Sequence, residues 1–189
     1  MSNLIPPHGG KGLTCCLLEG AELEEEKKKA AGLKKLPIVG RENGDLIMMG
    51  IGGFSPLTGF MTKADWKSVV ENYTLSDGTF WPIPVTLSAT KADADSVEVG
   101  EEIALENGDG EVMATMKVTE KYQMAEADKK WECEMIYKGE GEESADDKFW
   151  EIAMADHPGV QMVMAQKEVN LAGPVKVLSE GDFPERFPG

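Results

Sequence analysis

The sequence predicts an α+β domain built on a small mixed or closed sheet. Residues 99–122 read as a β-hairpin, with apolar residues at the alternating positions Val112, Ala114, Met116 and Val118 behind the turn Glu106-Asn107-Gly108-Asp109-Gly110. Segments of helical character at 21–33, 62–72, 126–137 and 148–155 stand between the strand candidates. The chain has 189 residues, 41% of them apolar and 28% charged, which suits one packed domain and is not the composition of a disordered chain.

Residues 1–20 are expected to form an extended arm and a first strand. Pro6-Pro7 and Gly9-Gly10 disfavour regular structure, and the apolar run Leu13–Leu18 has strand length. The segment AELEEEKKKAAGL (21–33) carries Glu early and Lys late, with Glu–Lys pairs four apart, so a short exposed helix with a solvated charged face is expected. Leu46–Ile51 is a continuous apolar run and reads as a buried strand feeding the glycine-rich turn around Gly52 and Gly53. Thr62 is placed to cap a helix running to Asn72, with Asp65 as its capping partner and Trp66, Val69, Val70 and Tyr73 as its apolar stripe.

Leu75–Thr79 reads as a turn. In Phe80–Leu87 the prolines at alternate positions indicate an edge or irregular strand. After the hairpin come the helix 126–137, an acidic loop at 139–147 and a helix at 148–155 ending near His157-Pro158-Gly159. A short apolar strand in 170–178 and a polar exit, 179–189, close the chain.

A net charge of -15 (19 Lys plus Arg, 34 Asp plus Glu) repels phosphate backbones and anionic lipid, so neither nucleic acid nor a membrane is an expected partner. No run approaches the ~20 apolar residues of a membrane span, and the amino terminus lacks a secretory pattern. Three cysteines, an odd number, fit a reducing compartment, so a cytoplasmic location is expected.

Three constellations invite a chemical reading. His157 beside Asp156 has the makings of a general base, but no nucleophile is placed by sequence, and capping of backbone groups in a helix-ending turn is the simpler role. His8, Cys15, Cys16 and Cys133 have the donor types for zinc or cobalt, but adjacent cysteines on a strand point to opposite faces and no Cys-x-x-Cys occurs. Buried core thiols are the simpler reading, and metal content stays open. Gly50-Ile51-Gly52-Gly53-Phe54 lacks the Gly-Lys-Ser/Thr of a phosphate loop, which argues against a nucleotide site. The methionines, mostly in apolar runs, are expected to fill core gaps.

Taken as a set, the blocks Met49–Met61 (MGIGGFSPLTGFM) and Leu75–Val85 (LSDGTFWPIPV), with Pro7–Gly10, His157–Gln161 and Ala172–Leu178, resemble the amino-terminal domain of ATP sulfurylase. The likeness is greatest to the enzymes of dissimilatory sulfate metabolism. Each block is weak alone; their order and spacing over more than a hundred residues carry the resemblance.

It implies a PUA-like pseudobarrel of short mixed strands with peripheral helices over 21–178, and an exit segment, 179–189, toward a catalytic domain. The family joins ATP and sulfate into adenosine 5'-phosphosulfate and pyrophosphate. Its catalytic motifs, Gln-x-Arg-Asn, His-x-x-His and Gly-Arg-Asp-His, do not occur here: His8 and His157 are the only histidines, Arg41 and Arg186 the only arginines. The chain is therefore expected to hold no catalytic, cofactor-binding or metal residue and to be inactive alone. Scaffolding and docking are its expected role, with the catalytic domain and a homo-oligomer as partners, and ATP with magnesium used elsewhere in the enzyme. The alternative is a stand-alone PUA-like module binding RNA or protein. It lacks the basic patch that RNA requires, since Lys27–Lys29 lie beside Glu24–Glu26.

Overall fold

The structure, a computed structural model, describes residues 5–10, 12–137 and 156–186. The acidic loop and helix expected at 139–155 lie outside the described residues. Seven strands form one curled sheet: β1 (Lys34–Pro37), β2 (Gly59–Phe60), β3 (Leu87–Ala89), β4 (Glu102–Glu106), β5 (Val112–Lys117), β6 (Glu120–Gln123) and β7 (Val169–Val177). The path runs β1-β4-β5-β7-β2, with β3 and β6 also pairing β7. β1 joins β4 in parallel and every other pairing is antiparallel. This is the α+β sheet of mixed strands that the sequence predicts.

β7 is longer and more central than a short carboxy-terminal strand. Its first half, residues 169–172, lies between β3 and β6, and its second half pairs β5 and β2. The change of partners falls at Gly173, whose φ is +153°; a Cβ there would lie 1.9 Å from the Lys117 carbonyl oxygen. A Cβ on Gly59 would in turn meet the Gly173 oxygen at 2.0 Å. Three backbone segments thus touch where the sheet curls, and only glycine leaves room for that.

The hairpin and three helices follow their local signals. β4 and β5 pair around a turn in which the Asn107 side chain accepts from the Asp109 and Glu111 amides. Met113 and Thr115 are buried along with Ala114 and Met116, so β5 is covered on both faces, where the alternation implied one. Helix α1 (Gly20–Ala30) carries the charged segment, helix α3 (Lys63–Asn72) is capped by Thr62 Oγ1 accepting from the Asp65 amide, and helix α5 covers Glu126–Tyr137, after the short helix α4 (Lys91–Asp95). Asp65 answers through its own Oδ2, which accepts from the Thr62 hydroxyl at 2.8 Å. Tyr73 does not join the α3 stripe. It is the left-handed residue that ends the helix, and its hydroxyl donates to the Met135 carbonyl.

Three further expectations are corrected. Residues 46–51 form no strand; 46–50 are the second half of helix α2 (Gly40–Gly50) and Ile51 is its C-cap. The polar lead Arg41–Asp45 supplies the first turns, Glu42 reaches back to accept from the Val39 amide at 2.9 Å, and Glu42, Leu46, Met49 and Gly50 face inward at helical spacing. The run looked strand-like because α2 is enclosed on most sides, with Gly50 against Val177.

Leu13–Leu18 is no full strand either. Only Leu17 bridges β7, because the arm divides its bonds, Cys16 donating to Met49 at the end of α2 and Leu18 to Val177. The face of α1 is not wholly solvated: Glu26 is buried and accepts from Thr115, Lys29 and Lys176. His157 caps backbone groups as expected, at the start of a helix, Pro158–Met164: its Nδ1 accepts from the Gly159 amide at 3.1 Å. The Phe80–Val85 segment is irregular as expected, with one bridge between Phe80 and Thr74.

Candidate functional site

Four of the five sequence blocks that carry the resemblance meet in space. The turn 51–58 passes a cis Ser55–Pro56 bond and enters β2, which lies on Gly173 and Pro174 of β7. The Val175 amide donates to the Thr58 carbonyl at 2.9 Å. Ser55 Oγ accepts from the Thr14 amide, tying the arm to the turn, and Phe54 stacks edge-on against Trp81 at 5.6 Å. His8 Nε2 donates to the Phe80 carbonyl at 2.6 Å. The fifth block stands apart: His157 caps its helix beside Tyr137, 4.7 Å between ring centroids.

Between these blocks lies a cleft of about 340 Å³. Its lining includes the apolar Leu57, Phe60, Met61 and Pro174 and the polar Asp65, Ser76 and Asp77. Asp65 Oδ1 accepts from the Ser76 amide at 3.0 Å and from the Ser76 hydroxyl at 2.5 Å, which fastens the 75–79 turn to the start of α3. Asp77 Oδ1 accepts from the Thr79 amide. None of the lining residues is basic. The pairing of Asp65 with Thr62 is legible in the sequence; that Asp65 also anchors Ser76, eleven residues on, has no local signal.

A few residues on from Asp77 the chain exposes apolar side chains. Phe80 is 59% exposed and Ile83 46%, although both sit in a motif block whose Trp81 and Val85 are buried. Their backbone is held by Trp81 donating to the Tyr73 carbonyl and Met61 to the Val85 carbonyl.

The sequence-flagged donors for a metal are dispersed. His8 lies against Phe80 and Trp81, Cys16 packs on the main core with its thiol 4.0 Å from the Leu57 carbonyl oxygen, and Cys133 sits in a separate cluster with Val160 and Val163. Cys15 is exposed, so only two of the three thiols are even partly buried. Burial, then the nearby Glu132 and Glu134, push the Cys133 thiol up to about 12, so it stays protonated. Among the described residues no three His, Cys, Asp or Glu side chains are grouped to hold a metal ion. The Gly50–Phe54 turn holds the end of α2, with Phe54 donating to the Met48 carbonyl and the Met48 terminal methyl lying 2.4 Å from where a Gly53 Cβ would stand.

Buried acids lie elsewhere, unnoticed in the sequence. Glu42 Oε1 accepts from the Ser88 amide at 2.8 Å and the Ser88 hydroxyl at 3.0 Å, linking α2 to β3. Burial raises the Glu26 carboxyl, but hydrogen bonds from Lys176, Thr115 and Lys29 outweigh it and hold the group at about 2. Burial dominates at Asp45, whose carboxyl rises to about 6 despite Arg41 at 3.9 Å, with Glu42 adding to the rise. Glu132 is also raised by burial while it accepts from Trp66 Nε1 at 2.6 Å.

This fold and its motif cluster place the chain in a known class. The PUA-like domain family matches residues 5–180, and the chain belongs to it. The relatives it resembles are sulfate adenylyltransferases. That of Desulfovibrio desulfuricans is 69% identical over 189 residues, 100% of this chain and 44% of the relative; that of Desulfatibacillum aliphaticivorans is 70% identical over 190 residues, 100% of this chain and 45% of the relative. The chain thus spans less than half the length of these curated relatives. Among solved structures, a hexameric APS kinase from Thiobacillus denitrificans superposes with a TM-score of 0.67 at 25% identity, covering 97% of this chain and 29% of that one. Among the described residues no helix is long and apolar enough to cross a membrane.

Proposed function

We propose that this chain is the amino-terminal accessory domain of a sulfate adenylyltransferase, the enzyme that forms adenosine 5'-phosphosulfate and pyrophosphate from ATP and sulfate. The carrying observation is the pattern of coverage: about 70% identity runs through the whole chain, yet accounts for only 44–45% of the relatives. Catalysis belongs to the part not spanned. ATP with magnesium would act there, where positioned cationic donors can stabilise charge developing at the α-phosphorus. The cleft described above does not fit a triphosphate, since carboxylates edge it and no lining residue is basic.

The domain's task is docking. Phe80 and Ile83 stand out of a segment whose backbone is fixed, an arrangement that suits a preformed contact surface. Residues 179–189 would lead toward the catalytic domain, and the complete enzyme would be a cytoplasmic homo-oligomer. RNA binding is not favoured at a net charge of -15.

The test is a pyrophosphate-release assay with ATP, sulfate and magnesium. The 189-residue chain is expected to give only the blank rate, and the full-length polypeptide that contains it to turn over. Turnover by the chain alone would overturn the assignment, as would salt-dependent RNA retention on a filter.

A further inference from the structure

The amino-terminal arm and the segment after the 75–79 turn meet at a latch. His8 Nε2 donates to the Phe80 carbonyl at 2.6 Å, and the His8 ring centroid lies 6.4 Å from that of Phe80 and 6.2 Å from that of Trp81. Along both segments from this contact, large apolar side chains stand in water: Ile5 is 91% exposed, and Pro6, Phe80, Pro82 and Ile83 are exposed as well. Residues 5–10 and 78–90 hold no Asp, Glu, Lys or Arg, in a chain of which 28% is charged. The prolines restrict both backbones, so covering these side chains releases their hydration at little cost in ordering. Phe80 and Ile83 belong to a block that carries the family resemblance, yet their side chains add little to the core of this chain. An uncharged face of this kind on an otherwise acidic surface marks a contact.

We propose that residues 5–8 and 80–83 form one composite docking face, joined by the His8 latch, and that it is covered by an apolar surface on the part of the polypeptide that this chain does not span. The occupant rests on the accessory-domain reading. More than half the length of the relatives lies outside this chain, so there is a partner to cover the face. That partner is tethered close by: β7 passes Gly173 beside the turn that carries Phe54 and reaches Val177, roughly 13 Å on, where the exit segment begins. Tethering gives it a high effective concentration at the face. A second copy has no such advantage and brings its own net charge of -15 against this one. His8 is a positioning residue, holding the arm against Phe80 so that the two segments present one surface.

The experiment compares amide hydrogen exchange in the 189-residue chain and in the full-length polypeptide that contains it. Exchange at His8, Gly9, Phe80 and Ile83 is expected to slow at least about tenfold in the full-length polypeptide, while the 107–110 turn exchanges alike in both. In the full-length polypeptide, Ile83→Ser should return these amides to the rates of the shorter chain; in the 189-residue chain it should leave the urea midpoint unchanged. His8→Ala should release the arm and residues 80–83 together, and His8→Gln, whose side-chain amide can donate to the same carbonyl, should restore their protection. Equal exchange in the two polypeptides, slowing spread evenly over the surface, or a lowered midpoint in Ile83→Ser would overturn the face. So would arm and segment responding separately to His8→Ala, or protection already present in the 189-residue chain and rising with its concentration, the mark of a second copy. Exchange and turnover fail separately: an uncovered face leaves the accessory-domain reading standing as long as pyrophosphate release needs the full-length polypeptide, and release by the 189-residue chain alone overturns that reading whatever the exchange rates.

Discussion

Asp45 shows how a single carboxylate in α2 couples folding to pH. Its ordinary value in an unfolded chain is about 3.9, and burial, against Arg41 and with Glu42, raises it to about 6 in the fold. The folded chain therefore binds more protons than the unfolded chain between these values, and stability falls as pH rises through the window. Asp45→Asn removes the titration while Arg41 keeps its bond to the Thr86 carbonyl. In urea melts the variant should gain on the order of 2 kcal/mol relative to wild type between pH 4 and pH 7; a difference that stays flat would mean Asp45 ionises without penalty. Glu26 has the opposite sign: its depressed value of about 2 keeps its contribution above the unfolded value, lost only as pH falls below it. Neither acid stood out in the sequence. Glu26 lies within AELEEEKKKAAGL, whose other glutamates are solvated, and what singles it out is Lys176, 150 positions away.

Elements were readable in proportion to how locally they are determined. Helix α3 declared itself through Thr62 and Asp65, α5 through its period, and the β4–β5 hairpin through Asn107 and Gly110, because each signal lies within a few residues of the structure it fixes. Helix α2 was misread because burial on most sides hides helical periodicity, and the capping role of Glu42 was visible only once Val39 and Ser88 were placed beside it. β7 was underestimated because its length is set by four partner strands rather than by its own residues. The junction where it changes partners is the most sensitive element: Gly173→Ala would drive a methyl group into the Lys117 carbonyl, and backbone cannot rotate away as a side chain can. A loss of at least about 3 kcal/mol is expected, read as a lowered urea midpoint. Near-wild-type stability would mean the three backbone segments separate easily.

For the whole molecule, the five sequence blocks pointed to the family, but not to how they sit together. Four form one motif junction and the fifth, at His157, caps a helix in a different cluster. The cleft was illegible for the same reason: its lining joins Asp65 to Ser76 and Phe60 to Pro174, across distances the sequence does not display. The placement of β7 has a further consequence, for biosynthesis. β2, β3 and β6 each have β7 as their ladder partner, so until residues 169–177 leave the ribosome these strands have edges with nothing to close them. β1, β4 and β5 can pair with one another beforehand, but the part of the sheet built on β7 must wait and then close in one late event. A chain ending at residue 168 should accordingly lack dispersed amide resonances and bind a hydrophobic dye, whereas a folded spectrum from that fragment would show that the earlier strands find partners without it.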